Sequence, residues 1–317
     1  MFQAKIIAKS ISSKDGKEIT TWELIYPRFI HSELMTHKML SKNAASSRAI
    51  PVQKVIDMVR ENPAMPVHWG KNQPGMQAHE ELDTNSQTLA KLNWEEAALS
   101  AVGYALHMAE LGVHKQIVNR ILEPYQWMKT VMTGTEWANF YWLRNHEDAQ
   151  PEFKHLAQMM WEENQKTESI LLIPGEWHTP YYGNGYWIDE GNGIDFLGYS
   201  LQNALDISMS CCAQVSYRNL DDTLEKAQKV VERLNLGVDT EKPVHASPSE
   251  HQATPMKENG SWTKMPNLRG MKLVNSPRYP ESWEEGITAY HKELGFMSGN
   301  FSGWIQNRQL IKGHTKW

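Results

Sequence analysis

The residues best suited to chemistry lie close together in one polar segment, Thr36–Arg48. The segment holds a histidine, several hydroxyl side chains, two lysines and, at its end, an arginine. Proteins collect such donors around phosphate groups and polar rings, because charge-assisted hydrogen bonds to anions are strong. The same composition also fits a solvent-exposed helix end with Ser and Asn caps, which is the commoner arrangement. Composition alone therefore leaves both interpretations open.

A second candidate group combines Asn139 with Arg144. On a helix, two side chains at this spacing project to partly different sides, so they can contact two ligands at once. The alternative is an ordinary surface arginine that pairs with Glu147 or Asp148. The spacing does not decide between the two.

A third group is the proline-containing segment His245–His251, in which two histidines flank Glu250. Two histidines and a carboxylate are ligands that zinc accepts, but no third ligand is indicated nearby. Histidines in loops are more often hydrogen-bonded than bound to metal. We therefore predict no metal site.

The element that must position the first group is a β-hairpin between Ile6 and Tyr26. Apolar and polar residues alternate on both sides of Asp15-Gly16, a pair that favours a tight turn. After the hairpin, the residues from His31 to about Ser47 follow neither the helical nor the strand period. We predict a helix there that breaks into an irregular loop over residues 43–50.

Helices are expected to dominate the middle of the chain. The apolar spacing predicts helices over four stretches: Leu99–Ala109 with a stop at Gly112, His114 to about Lys129 despite Pro124, Pro151 to Trp161 or beyond, and Leu224–Leu234 with a stop at Gly237. Two long loops are predicted: an ordered loop or insertion at 65–77, and a proline-rich excursion at 241–280 that is either surface or site-forming. The stretch 174–198 is rich in Gly, Tyr and Trp.

The composition sets the class of protein. The chain has 317 residues, 40% of them hydrophobic, with a net charge of −5, which supports a real core and disfavours electrostatic binding to nucleic acid or anionic membranes. The adjacent Cys211 and Cys212 do not form a disulfide scaffold. The residues from Met1 to Ser10 predict neither a signal peptide nor a membrane anchor. We expect a cytoplasmic protein that contacts neither membranes nor nucleic acid.

Common catalytic signatures are missing from the sequence. It contains no GxGxxG, GxxxxGK[ST], HExxH, GxSxG or CxxC motif, so the usual dinucleotide, P-loop, zinc and hydrolase families are disfavoured. The chemistry must therefore come from a less widespread arrangement of residues.

The three groups together resemble the flavin-dependent thymidylate synthases. That family has an arginine-histidine-arginine-x-x-serine signature followed by asparagine-glutamate-x-serine-x-arginine, and the spacing is kept here in Thr36-His37-Lys38-x-x-Ser41-x-Asn43-Ala44-x-Ser46-Ser47-Arg48. Its second block, an asparagine five residues before an arginine followed by an alanine-glutamine pair, is similar to Asn139, Arg144 and Ala149-Gln150. Its histidine-glutamate-threonine-proline-phenylalanine-glutamate-histidine block is similar to His245–His251.

The order of these blocks differs from that of the family. The block similar to His245–His251, and the alanine-arginine-valine-serine segment before it, here Ala213–Ser216, come first in the usual member and last in this chain. The chain therefore resembles a circularly permuted member, which is physically reasonable because the termini of a domain are often close together. We predict one catalytic domain over 1–317, made of a hairpin and signature part (1–60), an insertion and helix (61–113), a helical block (114–170) and a permuted part (171–317).

The resemblance implies an α+β fold with an antiparallel sheet packed against helices, and a reaction. The reaction is reductive methylation of dUMP to dTMP, with methylenetetrahydrofolate as carbon donor, bound FAD as redox carrier and NADPH as reductant, in a homotetramer. Arg144 is the implied catalytic residue, because a cation beside the pyrimidine ring favours its ionised form. The residues implied to bind the nucleotide are Glu33, Thr36, Ser46, Ser47, Arg48, Arg120 and Arg144. Those implied to surround the flavin are His37, Lys38, Met39, Ser41, Asn43, Thr133, Asn139, Ser216, His245, Ser247 and Glu250.

Several positions depart from the family pattern. Thr36 and Lys38 replace arginines, Glu33 replaces a glutamine near the nucleotide, and Ala44 replaces a glutamate near the flavin. Glu33 would repel a substrate phosphate unless it bonds another group, and it could instead accept a hydrogen bond from an amine. Transfer to dCMP, or transfer of a hydroxymethyl group, is therefore an alternative reaction. A flavin- or nucleotide-binding protein without turnover is an alternative of another class.

Overall fold

The computed structural model describes residues 1–216, 220–236, 242–257, 277 and 280–315. Its strands are β1 (Gln3–Ser12), β2 (Glu18–Pro27), β3 (Ser41–Ala44), β4 (Trp127–Gly134), β5 (Ile170–Leu172), β6 (Trp177–His178), β7 (Tyr186–Trp187), β8 (Ala253–Pro255), β9 (Ala289–His291), β10 (Gly295–Ser298), β11 (Phe301–Ser302) and β12 (Trp304–Gln306). Its α-helices are α1 (His31–Leu34), α2 (Val52–Glu61), α3 (Thr84–Glu110), α4 (Lys115–Val118), α5 (Ala138–Arg144), α6 (Pro151–Lys166), α7 (Leu201–Ala213) and α8 (Leu224–Leu234).

The predicted hairpin is confirmed and forms the middle of the main sheet. β1 and β2 pair antiparallel from Gln3 opposite Ile25 to Ile11 opposite Glu18. The turn uses Gly16 at φ 70°, a backbone conformation that glycine adopts without strain. The sheet has five strands in the order β3-β4-β2-β1-β5, antiparallel except where β5 runs parallel to β1. The expected α+β fold with antiparallel strands packed against helices is confirmed.

The main sheet is covered on both faces. Its central strand β2 has buried side chains on either side, as expected for a strand that packs against other elements on both faces. On one face, Trp22, Leu24 and Tyr26 pack against α5 and α6, in a core that includes Phe140 and Phe153. The other face, which carries Thr21, contacts His178 of β6 and, through Val131 of β4, Cys212 of α7. The strand β6 belongs to a four-stranded sheet of order β12-β8-β6-β7.

A three-stranded sheet of order β11-β10-β9 and two pairs of packed helices lie beside these sheets. The helices α7 and α8 pack against each other around Ala204, Ile207 and Ala227. The helices α2 and α3 pack together around Val59 and Val102. None of the described helices, α3 included, combines the length and the apolarity needed to cross a membrane.

The predicted helix from His31 toward Ser47 is wrong beyond its first turn. The helix α1 ends at Leu34, and Ser41–Ala44 form an edge strand instead of a helix end or loop. That strand pairs with Thr133–Thr130 of β4. The backbone groups at this edge of β4 need hydrogen-bond partners, and a neighbouring strand supplies them. Only residues 45–50 form the irregular loop that was predicted for 43–50.

The predicted helix from His114 to Lys129 is also wrong. The segment begins with α4, continues as a 3-10 helix over Asn119–Tyr125, and enters β4 at Trp127. Pro124 has no N–H to continue a helical hydrogen-bond ladder. The strand that follows lies between β2 and β3, and its residues from Thr130 to Gly134 are all buried, so burial on both faces concealed its period from the sequence.

The other three predicted helices are confirmed. The helices predicted from Pro151 and from Leu224 are confirmed as α6 and α8, and α3 is longer than predicted, with Gly112 just beyond its end. The helix α8 is closed by Asn235 in the left-handed conformation, while the predicted stop at Gly237 lies outside the described residues. The predicted loop at 65–77 is irregular and described throughout. Most of the predicted excursion at 241–280 lies outside the described residues.

Candidate active site

Arg144 lies where three helices meet. It is the last residue of α5, and it faces Glu33 of α1 and His37, which follows α1. Its Nη1 donates to Glu33 Oε2 at 3.0 Å, and its Nε donates to His37 Nε2 at 2.9 Å. The guanidinium also lies 4.4 Å from the ring centroid of Phe153. Two hydrogen bonds and a ring contact hold the cation in one orientation. We call Glu33, His37, Arg144 and Phe153 the Arg144 cluster.

His37 is neutral in this cluster at pH 7. Burial, together with the nearby charges of Arg144 and Lys42, lowers its pKa to about 4. Because Arg144 donates to Nε2, the ring proton resides on Nδ1. The ring packs edge-on against Phe140 at 5.0 Å. A neutral imidazole can therefore accept a hydrogen bond from the arginine without competing with it as a second cation.

The turn that presents His37 is closed by Lys42 at the start of β3. The Lys42 ammonium donates to the carbonyl oxygens of His37 and Leu40. Burial and the neighbouring Lys38 lower the pKa of Lys42 to about 8. This lysine was not predicted as a site residue, and it supports the backbone of one that was.

A cavity of about 1120 Å³ opens beside the Arg144 cluster. Arg144 and Glu33 line it, together with residues of the 65–77 loop and of the connection from α5 to α6. The Arg144 side chain is 18% exposed and that of Glu33 is 41% exposed. Arg144 therefore borders open volume, and it pairs with Glu33 rather than with Glu147 or Asp148.

A second group of predicted residues gathers around Glu123. The Glu123 Oε1 atom accepts hydrogen bonds from Ser47 Oγ at 3.2 Å, from Arg28 at 2.8 Å and from Arg120 at 3.4 Å. Arg48, next to Ser47, is exposed. Two of the residues predicted to bind phosphate thus share a carboxylate. Arg28 and Glu123 were missed; the i, i+3 spacing of Arg120 and Glu123 was the signal that could have found the carboxylate.

A third group of predicted residues lies on β3 and on the 3-10 helix Ser247–Glu250, two elements that contact each other. The Ser41 hydroxyl bonds Asn300, and Asn43 Nδ2 donates to the Cys212 carbonyl at 3.2 Å. The Ser216 hydroxyl accepts from the Ser46 amide at 2.9 Å. Glu250 pairs with Arg308, which was also missed because 58 residues separate the two in the sequence. Several residues predicted to surround the flavin therefore lie on adjoining segments.

Thr133 belongs to a different arrangement, a buried chain of hydrogen bonds that we call the histidine chain. It runs from Ser10 Oγ to His178 Nδ1 at 2.9 Å, from His178 Nε2 to Thr21 at 2.8 Å, from Thr21 to Thr133 at 2.7 Å, and from Thr133 to His251 Nδ1 at 2.8 Å. Each of the five residues is at most 1% exposed. Burial lowers the pKa of both histidines to about 3, so both are neutral at pH 7.

The remaining predicted residues lie at or near the surface. Thr36 is exposed, and its hydroxyl donates to the Glu33 carbonyl at 2.7 Å. Met39 is partly buried. The other exposed residues of the predicted set are Lys38, Asn139, His245 and Ser247. Within the described ranges, no group of three or more His, Cys, Asp or Glu residues is placed to hold a metal ion.

The comparisons with known proteins address the segment that contains the Arg144 cluster. Residues 18–167 match the family model described as thymidylate synthase complementing protein. The predicted family resemblance is confirmed over this segment. It includes Arg144 and Thr36–Arg48, whereas His245–His251 lie beyond it. The predicted circular permutation therefore stays a prediction.

Two solved structures align with part of the chain. The crystal structure of a UMP/dUMP methylase PolB from Streptomyces cacaoi bound with 5-Br UMP aligns at 16% identity over 54% of this chain and 90% of that chain, with a TM-score of 0.44. The same protein bound with 5-Br dUMP aligns at 14% identity over 54% and 91%, with a TM-score of 0.44. A search of the curated proteins finds no match.

Proposed function

We propose that this protein methylates C5 of dUMP to form dTMP, with methylenetetrahydrofolate as carbon donor, bound FAD as redox carrier and NADPH as reductant. The observation that carries the proposal is the oriented cation of Arg144. It lies beside a large cavity, within the segment that matches the thymidylate synthase complementing protein family. Such a cation is the group that a pyrimidine needs when its ring gains negative charge.

Arg144 supplies the electrostatic part of the reaction in this proposal. A preorganised cation stabilises charge on the pyrimidine at no cost in reorganisation, and it favours the ionised ring over the neutral one. Its Nε and Nη1 are engaged by His37 and Glu33, whereas Nη2 makes no hydrogen bond to the described residues. We assign Nη2 to the pyrimidine, with Glu33 and His37 as positioning residues.

Glu33 bears on the choice of pyrimidine. Its negative charge is compensated by Arg144 through Oε2, so it does not repel a nucleotide as an unpaired carboxylate would. Its Oε1 remains able to accept a hydrogen bond from the exocyclic amine of a cytosine. Transfer to dCMP is therefore kept as the second candidate reaction, and hydroxymethyl transfer as a variant of the product.

The nucleotide phosphate is assigned to Ser46, Ser47, Arg48 and Arg120, with Thr36 nearby in sequence. Support comes from the guanidinium groups of Arg28 and Arg120 around Glu123, close to Ser47. Arginine suits phosphate because its planar fork donates two parallel hydrogen bonds. A bound phosphate would compete with Glu123 for Arg120, whose side chain is 59% exposed and free to turn.

The flavin is assigned to the segments around Glu250 and β3. Three buried polar atoms of this region have no partner: His251 Nε2, Gln252 Oε1 and Arg308 Nε. Orphaned buried polar atoms are costly, so a donor and acceptors left open together fit a ligand that carries both. When bound, FAD supplies the electrons that reduce the transferred carbon. The remaining predicted flavin contacts, Lys38, Met39, Asn139, His245 and Ser247, are part of this assignment.

The assembly is proposed to be a homotetramer. Light scattering of the purified protein tests this directly, with a mass of about four chains expected. A monomer at micromolar concentration would contradict it.

The test of the reaction is the mass of the nucleotide product. The protein is incubated anaerobically with FAD, NADPH, methylenetetrahydrofolate and an equal mixture of dUMP and dCMP. We expect a methyl gain on dUMP. A gain on dCMP, or a hydroxymethyl gain on either, would establish the alternative reaction. Bound flavin whose spectrum does not respond to either nucleotide, with no product, would indicate a binding protein without turnover.

A further inference from the structure

The loop at 65–77 builds one wall of the cavity beside Arg144. Pro66, His68, Met76 and Gln77 line the cavity from this side. The opposite wall is the connection from α5 to α6, residues 142–152. The loop therefore encloses volume next to the candidate active site.

Several hydrogen bonds hold this wall in place. The Val67 amide donates to the buried Glu152 carboxylate at 2.9 Å, and the Gln77 side chain donates to the Asp148 carbonyl. Trp94 of α3 donates to the Ala64 carbonyl at 2.9 Å. The Trp94 ring is further braced by edge-on contacts to Phe29, Trp69 and Tyr125. The loop is thus tied to α3 on one side and to the α5–α6 connection on the other.

The cavity offers aromatic surface and hydrogen-bond acceptors. Phe29, Trp94 and Trp142 line it, and Trp142 is 72% exposed, which is unusual for the largest apolar side chain. The Gln150 Oε1 atom is buried and has no partner. An unpaired acceptor and open aromatic faces suit a flat ring that carries N–H donors.

The charges of the lining disfavour a ligand rich in phosphate. Of the described lining residues, Arg144 carries the permanent positive charge, and Glu33 already neutralises it. The carboxylates Asp148 and Glu152 also line the cavity. Phosphate groups need several cations or open backbone amides, so the pyrophosphate of a dinucleotide finds little to bind here. The volume of about 1120 Å³ exceeds what a nucleobase needs and accommodates a drug-sized ligand.

We propose that the 65–77 wall and Trp142 form the binding site for the pterin ring of the reduced folate. The ring stacks on aromatic side chains while its amine and N–H groups donate to Gln150 Oε1 and neighbouring acceptors. This inference rests on the proposed function for the identity of the ligand. It gives a role to the 65–77 loop and to Trp142, Trp94 and Gln150.

The experiment measures folate binding separately from turnover. The FAD-loaded full chain is titrated calorimetrically with 5-formyltetrahydrofolate, a stable reduced folate, and separately with dUMP. Trp142→Ala is compared with the wild type, and Trp161→Ala serves as control because Trp161 is also half-exposed, at 46%, and lies outside the cavity lining. We expect Trp142→Ala to weaken folate binding at least tenfold, to leave dUMP binding within twofold, and to match the control in thermal unfolding.

A second variant addresses the hydrogen bond. In Gln150→Leu the acceptor is removed, and we expect folate affinity to fall severalfold with dUMP affinity unchanged. Equal losses for both ligands would assign the cavity to the nucleotide and overturn the inference, as would folate binding that neither variant weakens. Folate binding that depends on Trp142 in a protein that makes no product would support this site while contradicting the proposed function.

Discussion

The Arg144 cluster and the histidine chain contain the same kind of group in different surroundings. Each includes a neutral histidine with a strongly lowered pKa, about 4 for His37 and about 3 for His178 and His251. The residues of the histidine chain are buried, and both ring nitrogens of His178 are bonded to hydroxyls. The Arg144 cluster borders open volume. A lowered pKa therefore marks burial in both places, and the large cavity lies beside the Arg144 cluster.

The largest expected effect is a loss of folding stability in acid, caused by the two histidines of the histidine chain. The pKa of His178 and of His251 is about 3 in the fold and 6.5 in the unfolded chain, so between these values only the unfolded state takes up the protons. Stability therefore falls as pH falls from about 6.5 toward 3, by about 1.4 kcal/mol per pH unit for each histidine. Urea unfolding at a series of pH values measures this slope.

Replacing one histidine separates this source of acid sensitivity from others. His178→Gln is expected to be less stable at pH 7 but to show a shallower loss of stability with acid, by about 1.4 kcal/mol per pH unit. The matched control is His79→Gln, because His79 is exposed. Equal slopes for the two variants would mean that the histidine chain does not titrate in this window.

The next largest effect is expected on kcat/KM, from a variant that disrupts the Arg144 cluster. Arg144→Lys keeps the charge but loses the fork that reaches Glu33 and His37 together. We expect kcat/KM for the nucleotide to fall by about 100-fold or more, in line with the loss of one preorganised charge-stabilising donor. The folded state should stay within about 1 kcal/mol of the wild type, since the side chain is partly exposed.

Arg60→Lys is the control for that variant. Arg60 is exposed in the last turn of α2, away from the cavity lining. Its product formation should equal that of the wild type. If Arg144→Lys retained wild-type kcat/KM, the cluster would be a structural ion pair like those elsewhere on the surface, and the contrast with the histidine chain would disappear.

A third prediction weakens the histidine chain without touching a titratable group. Thr21→Val removes the hydroxyl that joins His178 to Thr133, leaving buried groups without a partner. The free energy of unfolding should fall by about 1–3 kcal/mol at pH 7, while kcat/KM per folded molecule is retained. Thr20→Val on the opposite face of β2 is the control, and denaturant titration is the measurement. A large loss of kcat/KM in a stable Thr21→Val protein would give the chain a catalytic role.

The smallest effect is expected from removing the ion pair between Glu33 and Arg144 in the Arg144 cluster. Glu33→Gln retains a carbonyl oxygen for Arg144 but removes the ion pair. Because Glu33 is 41% exposed at its side chain, we expect only about a fivefold fall in kcat/KM for dUMP, a difference of about 1 kcal/mol. The ratio of product from dUMP and dCMP, measured in the same reaction, tests its role in base choice. An unchanged ratio and rate would remove Glu33 from the site.

Local patterns predicted the elements that carry their own signals. The hairpin follows from alternation around Asp15-Gly16, and α6 from apolar spacing after Pro151, because both patterns arise from neighbours in the sequence. The strands β3 and β4 were misread as helix or loop. Each is stabilised by strands that are distant in sequence, and β4 is buried on both faces, so its side chains show no alternation.

The resemblance to the flavin-dependent thymidylate synthases singled out Arg144, His37 and Glu33, and their roles in a nucleotide-related chemistry stay a prediction. The sequence could not show that these side chains touch each other. Glu33 and Arg144 are 111 residues apart, and their pairing depends on α1, α5 and α6 packing against one face of the main sheet. The 65–77 segment was likewise predictable only as a loop, because the cavity that it lines is formed together with residues from other parts of the chain. Composition and local periodicity act over a few residues, whereas a site is made by the packing that brings distant segments together.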